Sequence, residues 1–243
     1  MKGRCSKMDR PDISSRNAKL AAMMLSLASP EGWERSEAMT RDSIAAFSQS
    51  ERLNQVQHVV LIGQGTSLAT AMNAEFLFSS IVGIDALAIP AFPFRCYCKQ
   101  YLPDPSKTLV VGISCSGNTA SVVLGLQKAK EAGALTMCIS GNGDIGAAAW
   151  SDYRIRAYTE IERENQTSAY SASHLFLLYG AFRAAVYMSS QRSGKSVQGQ
   201  SYWDSQWQDL KQALRGLPAL FDRMNSIAHT YVNNGWHNIV VLA

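Results

Sequence analysis

Two short runs in the sequence join glycine to small hydroxyl side chains: Gly63-Gln64-Gly65-Thr66-Ser67 and Ser114-Cys115-Ser116-Gly117-Asn118-Thr119. Each follows a β-branched apolar run and precedes a stretch with helical patterning. The first N–H groups of a helix have no intrahelical partner, and the positive end of its dipole attracts an anion. Glycine lets the backbone approach such a ligand, and Ser and Thr hydroxyls add donors. The chemistry that fits is a phosphate monoester held by neutral groups.

Three other readings compete with that one. The first run resembles G-x-G-x-x-G, but Leu68 stands at the last position. Asp85 also falls before the second strand, whereas a ribose-binding acid belongs at that strand's far end, so dinucleotide binding is disfavoured. The second run, from Gly112 to Thr119, nearly follows G-x-x-x-x-G-K-[ST]. Asn118 replaces the lysine that must reach the terminal phosphates, which disfavours nucleotide hydrolysis. The plainest alternative is that these hydroxyls merely cap their helices.

The elements that must position the two loops follow from periodicity. Short apolar runs predict strands over His58–Gly63, Asp85–Pro90, Thr108–Ser114, Leu135–Ser140 and Tyr153–Ala157, alternating with predicted helices over Ser67–Ile81, Thr119–Ala132 and Ser168–Ser189. Alternation of this kind builds an α/β fold with a doubly wound five-stranded parallel sheet, whose ligands sit outside the carboxyl ends of the strands. Two lead-in helices are expected, around Asn17–Ala28 and Trp33–Gln49. After a polar stretch from Gln191 to Ser201, a helical connector is expected over Trp203–Asn233, interrupted near Gly216-Leu217-Pro218. The divisions are a lead-in over residues 1–57, the α/β domain over 58–200, and over 201–243 the connector plus the first strand, His237–Ala243, of a truncated second domain. The expectation is therefore a truncated product or a fragment of a two-domain protein, the alternative being that the terminal strand completes the first sheet as an edge.

Composition narrows the class. The chain has 243 residues, 47% of them hydrophobic and 17% charged, enough for a substantial core and unlike a disordered chain. No run approaches 18 apolar residues, so no membrane partner is expected. The net charge of +4 is scattered, which argues against a nucleic-acid partner. Five cysteines without zinc-ligand spacing suggest a reduced, cytoplasmic protein with no metal site.

With Gln166-Thr167-Ser168-Ala169-Tyr170-Ser171 ahead of a third helix, the two loops complete a set that resembles the three signatures of the sugar isomerase (SIS) domain. The likeness runs from about Ser29 to Ala243, because the helix with Leu214-Arg215-Gly216-Leu217-Pro218 resembles the connector of double-SIS proteins. That subgroup includes the isomerase half of glutamine:fructose-6-phosphate aminotransferase, the fructosamine-6-phosphate deglycases, and amino-sugar-phosphate deaminases and isomerases. The resemblance implies a flavodoxin-like sheet and a sugar-phosphate ligand. It implies phosphate contacts from Ser67, Ser114, Ser116 and Thr119, with Thr66, Cys115 and Gly117 beside them, and sugar contacts from Gly65, Gln166 and Thr167. Cys115 departs from the Gln common in the aminotransferase. Met1-Lys2-Gly3 supplies no N-terminal nucleophilic Cys, so glutamine-dependent synthesis is not expected of this chain alone.

Aldose–ketose interconversion, or removal of an amine from C1 or C2, needs ring opening and proton transfer between carbons, for which a carboxylate base and a histidine acid are suited. The acids nearest the expected crevice are Glu160, Glu162 and Glu164, a run that also reads as a solvated loop. In double-SIS relatives the base Glu and ring-opening His are implied to come from the second half. His58 and His237 precede strands, His174 lies within a helix and His229 near a helix end, and each reads as a packed or surface residue. The expected function is a sugar-phosphate-binding protein that forms part of a deglycase, deaminase or isomerase, or else a non-catalytic sugar-phosphate sensor. No cofactor is expected. Low charge and apolar helix faces suggest a homodimer.

Overall fold

The computed structural model describes residues 25–47, 51–141, 144–159, 171–193 and 200–233. The helices are α1 (Pro30–Ala45), α2 (Glu51–Asn54), α3 (Thr66–Leu77), α4 (Ala91–Tyr97), α5 (Ala120–Glu131), α6 (Ser171–Ser193), α7 (Gln200–Leu214) and α8 (Leu217–Asn233). The strands are β1 (His58–Gly63), β2 (Asp85–Pro90), β3 (Thr108–Ser114), β4 (Leu135–Ser140) and β5 (Tyr153–Arg156). The five strands form one sheet in the order β2-β1-β3-β4-β5. Every pairing is parallel, with Val60 opposite Leu87 and Val110, and Ile139 opposite Ile113 and Ile155.

The near-continuous apolar character of β1, β3 and β4 has a physical cause, because both faces of these strands are covered. Val59 and Leu61 of β1, Leu109, Val111 and Ile113 of β3, and Met137 and Ile139 of β4 enter one core with α3 and α6. Val60 and Ile62, Val110 and Cys138 enter the other, with α4 and α5. Burial raises the pKa of the Cys138 thiol, so Cys138 serves as a small apolar residue. Trp33 anchors α1 to the first core by an edge-on contact with Phe176, 5.0 Å between centroids, and its Nε1–H donates to the Leu27 carbonyl at 2.9 Å.

The edge strand β2 is held partly by a side chain. The Ala88 N–H donates to the Glu75 carboxylate at 2.7 Å, so a backbone donor is satisfied by α3. At the opposite edge the Asp152 carboxylate ties the approach to β5 onto β4. It accepts from the Thr136 N–H at 3.0 Å, the Thr136 hydroxyl at 2.9 Å and Lys130 Nζ at 2.9 Å. Burial works to raise its pKa, but these donors outweigh burial and hold the carboxyl below its ordinary range.

The expected strands match these bounds to within a residue, and the sheet is the five-stranded parallel α/β sheet expected. α2 and α4 are additions to the expected elements. The helices around the sheet otherwise follow the reading, with α6 running on to Ser193 rather than stopping at Ser189. The helix expected over Asn17–Ala28 lies mostly outside the described residues, and the strand expected over His237–Ala243 lies wholly outside them. Among the described residues no helix is long and apolar enough to cross a membrane.

Candidate functional site

The helix after β1 packs on one face of the sheet and the helix after β3 on the other. This divergence leaves a crevice between the carboxyl ends of two adjacent strands, the switch point at which open α/β sheets bind ligands. A crevice of about 320 Å³ lies there, lined by Gln64, Gly65, Thr66, Ser67, Cys115, Ser116, Thr119 and His174. Among these described lining residues there is no Lys, Arg, Asp or Glu. Two loops far apart in sequence thus converge on one space, and α6 adds a histidine that sequence reasoning did not place there.

The first loop has its shape because two glycines permit it. Gly65 adopts φ 57° and ψ −130°, a conformation open to glycine and strained for other residues. A Cβ on Gly63 would meet the Ser67 carbonyl oxygen at 2.5 Å, so the chain can fold back on itself there only without a side chain. The turn is closed by Ser67 N–H donating to the Gln64 carbonyl at 3.2 Å and Leu68 N–H to Gly65 at 2.9 Å. Thr66 is exposed on the rim, whereas Ser67 is buried beneath it.

The second loop is organised by its own hydroxyls. Ser114 Oγ accepts the Gly117 N–H at 3.1 Å and lies 3.0 Å from Thr119 Oγ1. Ser116 Oγ accepts the Asn118 N–H at 3.2 Å. The loop is pinned from outside where Gly141 N–H donates to the Cys115 carbonyl at 3.0 Å and Ala147 N–H to the Gly117 carbonyl at 2.8 Å. Ser114 is buried and does not line the crevice, so its hydroxyl shapes the loop, while Ser116 and Thr119 face the open space.

Helix capping does not account for these side chains. The N-cap of α3 is Gly65, which has no side chain to cap with, and the N-cap of α5 is Thr119, whose side chain makes no capping bond. The hydroxyls of the two loops therefore do not serve as N-caps of α3 and α5. A backbone-plus-hydroxyl cradle at two helix N-termini can bind an anion such as a phosphate monoester.

His174 stands in the first turn of α6, buried, with Nε2 at 3.2 Å from Ser67 Oγ. Its sequence neighbours give no indication of this, because only the packing of α6 against α3 reveals which side chain it meets. The other described histidines lie elsewhere. His58 begins β1, at the end of the sheet away from the crevice, near the exposed Asp85, and His229 is exposed on α8. Glu160, Glu162, Glu164, Gln166, Thr167 and His237 fall outside the described residues. Cys96, Cys98, Cys115 and Cys138 form no disulfide, and of these only Cys115 lines the crevice. Among the described residues no cluster of His, Cys, Asp or Glu could hold a metal.

A second crevice, of about 380 Å³, lies between α1, α6 and α7. It is larger but carries mixed charge, and Lys211 is already paired with Glu37 across it. It lies away from the carboxyl ends of the strands, so the smaller crevice is the candidate site.

Comparison with known proteins agrees with this geometry. The chain is 32% identical to the isomerizing glutamine–fructose-6-phosphate aminotransferase of Aliivibrio fischeri over 130 residues, 51% of this chain and 21% of that protein. It is 34% identical to the Haemophilus influenzae enzyme of the same name over 112 residues, 45% of this chain and 18% of the other. The chain thus spans about a fifth of the length of the curated relatives it matches. Among solved structures, the C-terminal domain of glucosamine-fructose-6-phosphate aminotransferase from Francisella tularensis superposes with a TM-score of 0.66 at 18% identity, covering 86% of this chain and 59% of that one. A Clostridium difficile 630 protein described as a phosphosugar isomerase superposes with a TM-score of 0.65 at 13% identity, covering 91% of this chain and 57% of the other. The SIS domain family matches residues 52–185, more than half of the sequence and both loops of the crevice, and the chain belongs to that family.

Proposed function

We propose that the crevice between β1 and β3 binds a sugar phosphate, and that the chain forms part of an amino-sugar or fructosamine 6-phosphate isomerase, deaminase or deglycase. The observation that carries this reading is the convergence of two hydroxyl-bearing loops, neither used for helix capping, at one switch-point crevice. Ser67, Ser116 and Thr119 donate hydroxyl protons to the phosphate, and the backbone beside Gly65 and Thr66 completes the cradle. Ser114 and Gly117 hold the second loop in shape, and Cys115 forms part of its wall. Gln166 and Thr167 are the sugar contacts in this reading, and Glu160, Glu162 and Glu164 the candidate bases.

The aminotransferase relatives support the substrate class, since fructose 6-phosphate stands in their name. The alternative is a non-catalytic sensor that uses the same pocket. Turnover separates the two. An enzyme converts fructose 6-phosphate or glucosamine 6-phosphate detectably by the full chain, and a sensor binds without conversion. Cysteines that form no disulfide among the described residues support the cytoplasm as the setting. Self-association as a homodimer is supported by Met72 and Phe76, one turn apart and exposed on α3, and by Leu87, exposed on edge strand β2.

A further inference from the structure

We propose that His174 is a positioning residue for the phosphate cradle, acting through Ser67 and fixing the direction in which the Ser67 hydroxyl donates. This rests on the reading of the crevice as a sugar-phosphate site. A serine hydroxyl has one proton to give and lone pairs to receive. The contact between Ser67 Oγ and His174 Nε2 at 3.2 Å is buried, so its polarity decides what Ser67 can offer the ligand. If the imidazole nitrogen accepts from Ser67, the only hydroxyl proton is held by the ring, and Ser67 presents a lone pair to the anion. If Nε2–H donates to Ser67, that lone pair is occupied and the hydroxyl proton is free to point at the phosphate.

Binding an anion selects the second arrangement. His174 is also the sole residue of the described lining whose ring can carry a proton on either of two nitrogens. It reaches the cradle from α6, a different element from the two that carry the loops, and both Ser67 and His174 are only 8% exposed. Water therefore competes little for the contact, and the orientation of the hydroxyl is set by the histidine.

The test is a double-mutant cycle read by calorimetric titration of fructose 6-phosphate into the full chain, with unphosphorylated fructose as control. His174→Leu, which keeps volume but cannot donate, weakens fructose 6-phosphate binding roughly five- to thirty-fold. His174→Gln, whose amide can donate from a similar reach, keeps affinity within about three-fold of the parent. In a Ser67→Ala background, His174→Leu causes no further loss beyond about two-fold. A His174→Leu variant that binds as well as the parent overturns the proposal, as does an equal loss with and without Ser67, which would make the histidine act directly or only structurally.

A measurement without substitutions guards against variants that fail to fold. Nitrogen-15 spectra of the imidazole in the fructose 6-phosphate complex show Nε2 protonated. An Nε2 without a proton in that complex contradicts the proposal outright. A parent chain that binds neither sugar overturns the sugar-phosphate reading and this proposal with it, whereas binding by the parent with an unprotonated Nε2 overturns this proposal alone.

Discussion

Neighbouring hydroxyls of the second loop have separate tasks. Ser116 and Thr119 face the open crevice, whereas Ser114 holds the Gly117 N–H and lies against Thr119. Replacing Ser116 and Thr119 together by Ala is expected to weaken fructose 6-phosphate binding from several-fold to a few hundred-fold, at about 0.5–1.5 kcal/mol per neutral hydrogen bond and more to a charged acceptor. Titration calorimetry reads this directly, and unchanged affinity would move the site elsewhere. The hydroxyls and glycines are legible in the sequence because two such runs, each between an apolar strand and a helix, stand out together. His174 is not legible in this way. A histidine in the first turn of a helix carries no sign of which loop it will meet, and the contact with Ser67 exists only because α6 returns across the first face of the sheet.

Among the elements, the turn between β1 and α3 depends on two missing side chains. Gly65→Ala is expected to cost about 1–3 kcal/mol by forcing a non-glycine residue into a positive-φ conformation, and to weaken phosphate binding at the same time. Denaturant unfolding together with ligand titration would show both losses. The β4–β5 edge rests on Asp152, which accepts from Thr136 and Lys130. Asp152→Ala is expected to cost about 1–3 kcal/mol, since it removes these acceptors from a partly buried N–H and hydroxyl. The pH dependence of this edge follows from the direction of the shift. The Asp152 carboxyl is held below its unfolded value, so its contribution is complete above the ordinary carboxylate range. The contribution is lost as pH falls through the folded-state value. The parent chain should lose stability on acidification below about pH 4, and Asp152→Ala should lose less over the same range. Equal acid sensitivity of the two proteins would remove the carboxylate from this role. The strands themselves are readable in advance because β1, β3 and β4 are buried on both faces and so appear as near-continuous apolar runs ended by Gly or Ser. α4 is not readable. Its seven residues are too few to show a helical period, and Pro93 suggests a loop, although proline is tolerated in a first turn, where no intrahelical N–H bond is lost. The segment from Glu160 to Tyr170 lies outside the described residues, and its assignment to sugar contact comes only from resemblance to the family, because polar loop residues carry no periodicity that fixes their partners.

For the molecule as a whole, the order β2-β1-β3-β4-β5 places the crevice where crossovers diverge, so fold and site are one consequence of the same chain path. Exposed Met72, Phe76 and Leu87 flank the β2 edge, and sedimentation at micromolar concentration is expected to show a species near twice 26.6 kDa. A single species at 26.6 kDa would remove the homodimer.

Phosphate recognition by the crevice is open to a simple test, the thermal unfolding of the chain with fructose 6-phosphate, set against fructose at the same excess. A ligand that binds only the folded state at 100 times its Kd adds about 2.7 kcal/mol, which corresponds to roughly 5–10 °C for a chain of this size. That shift is expected with the phosphosugar, and none with fructose. No shift with either sugar, or the same shift with both, would contradict a phosphate-binding crevice between β1 and β3.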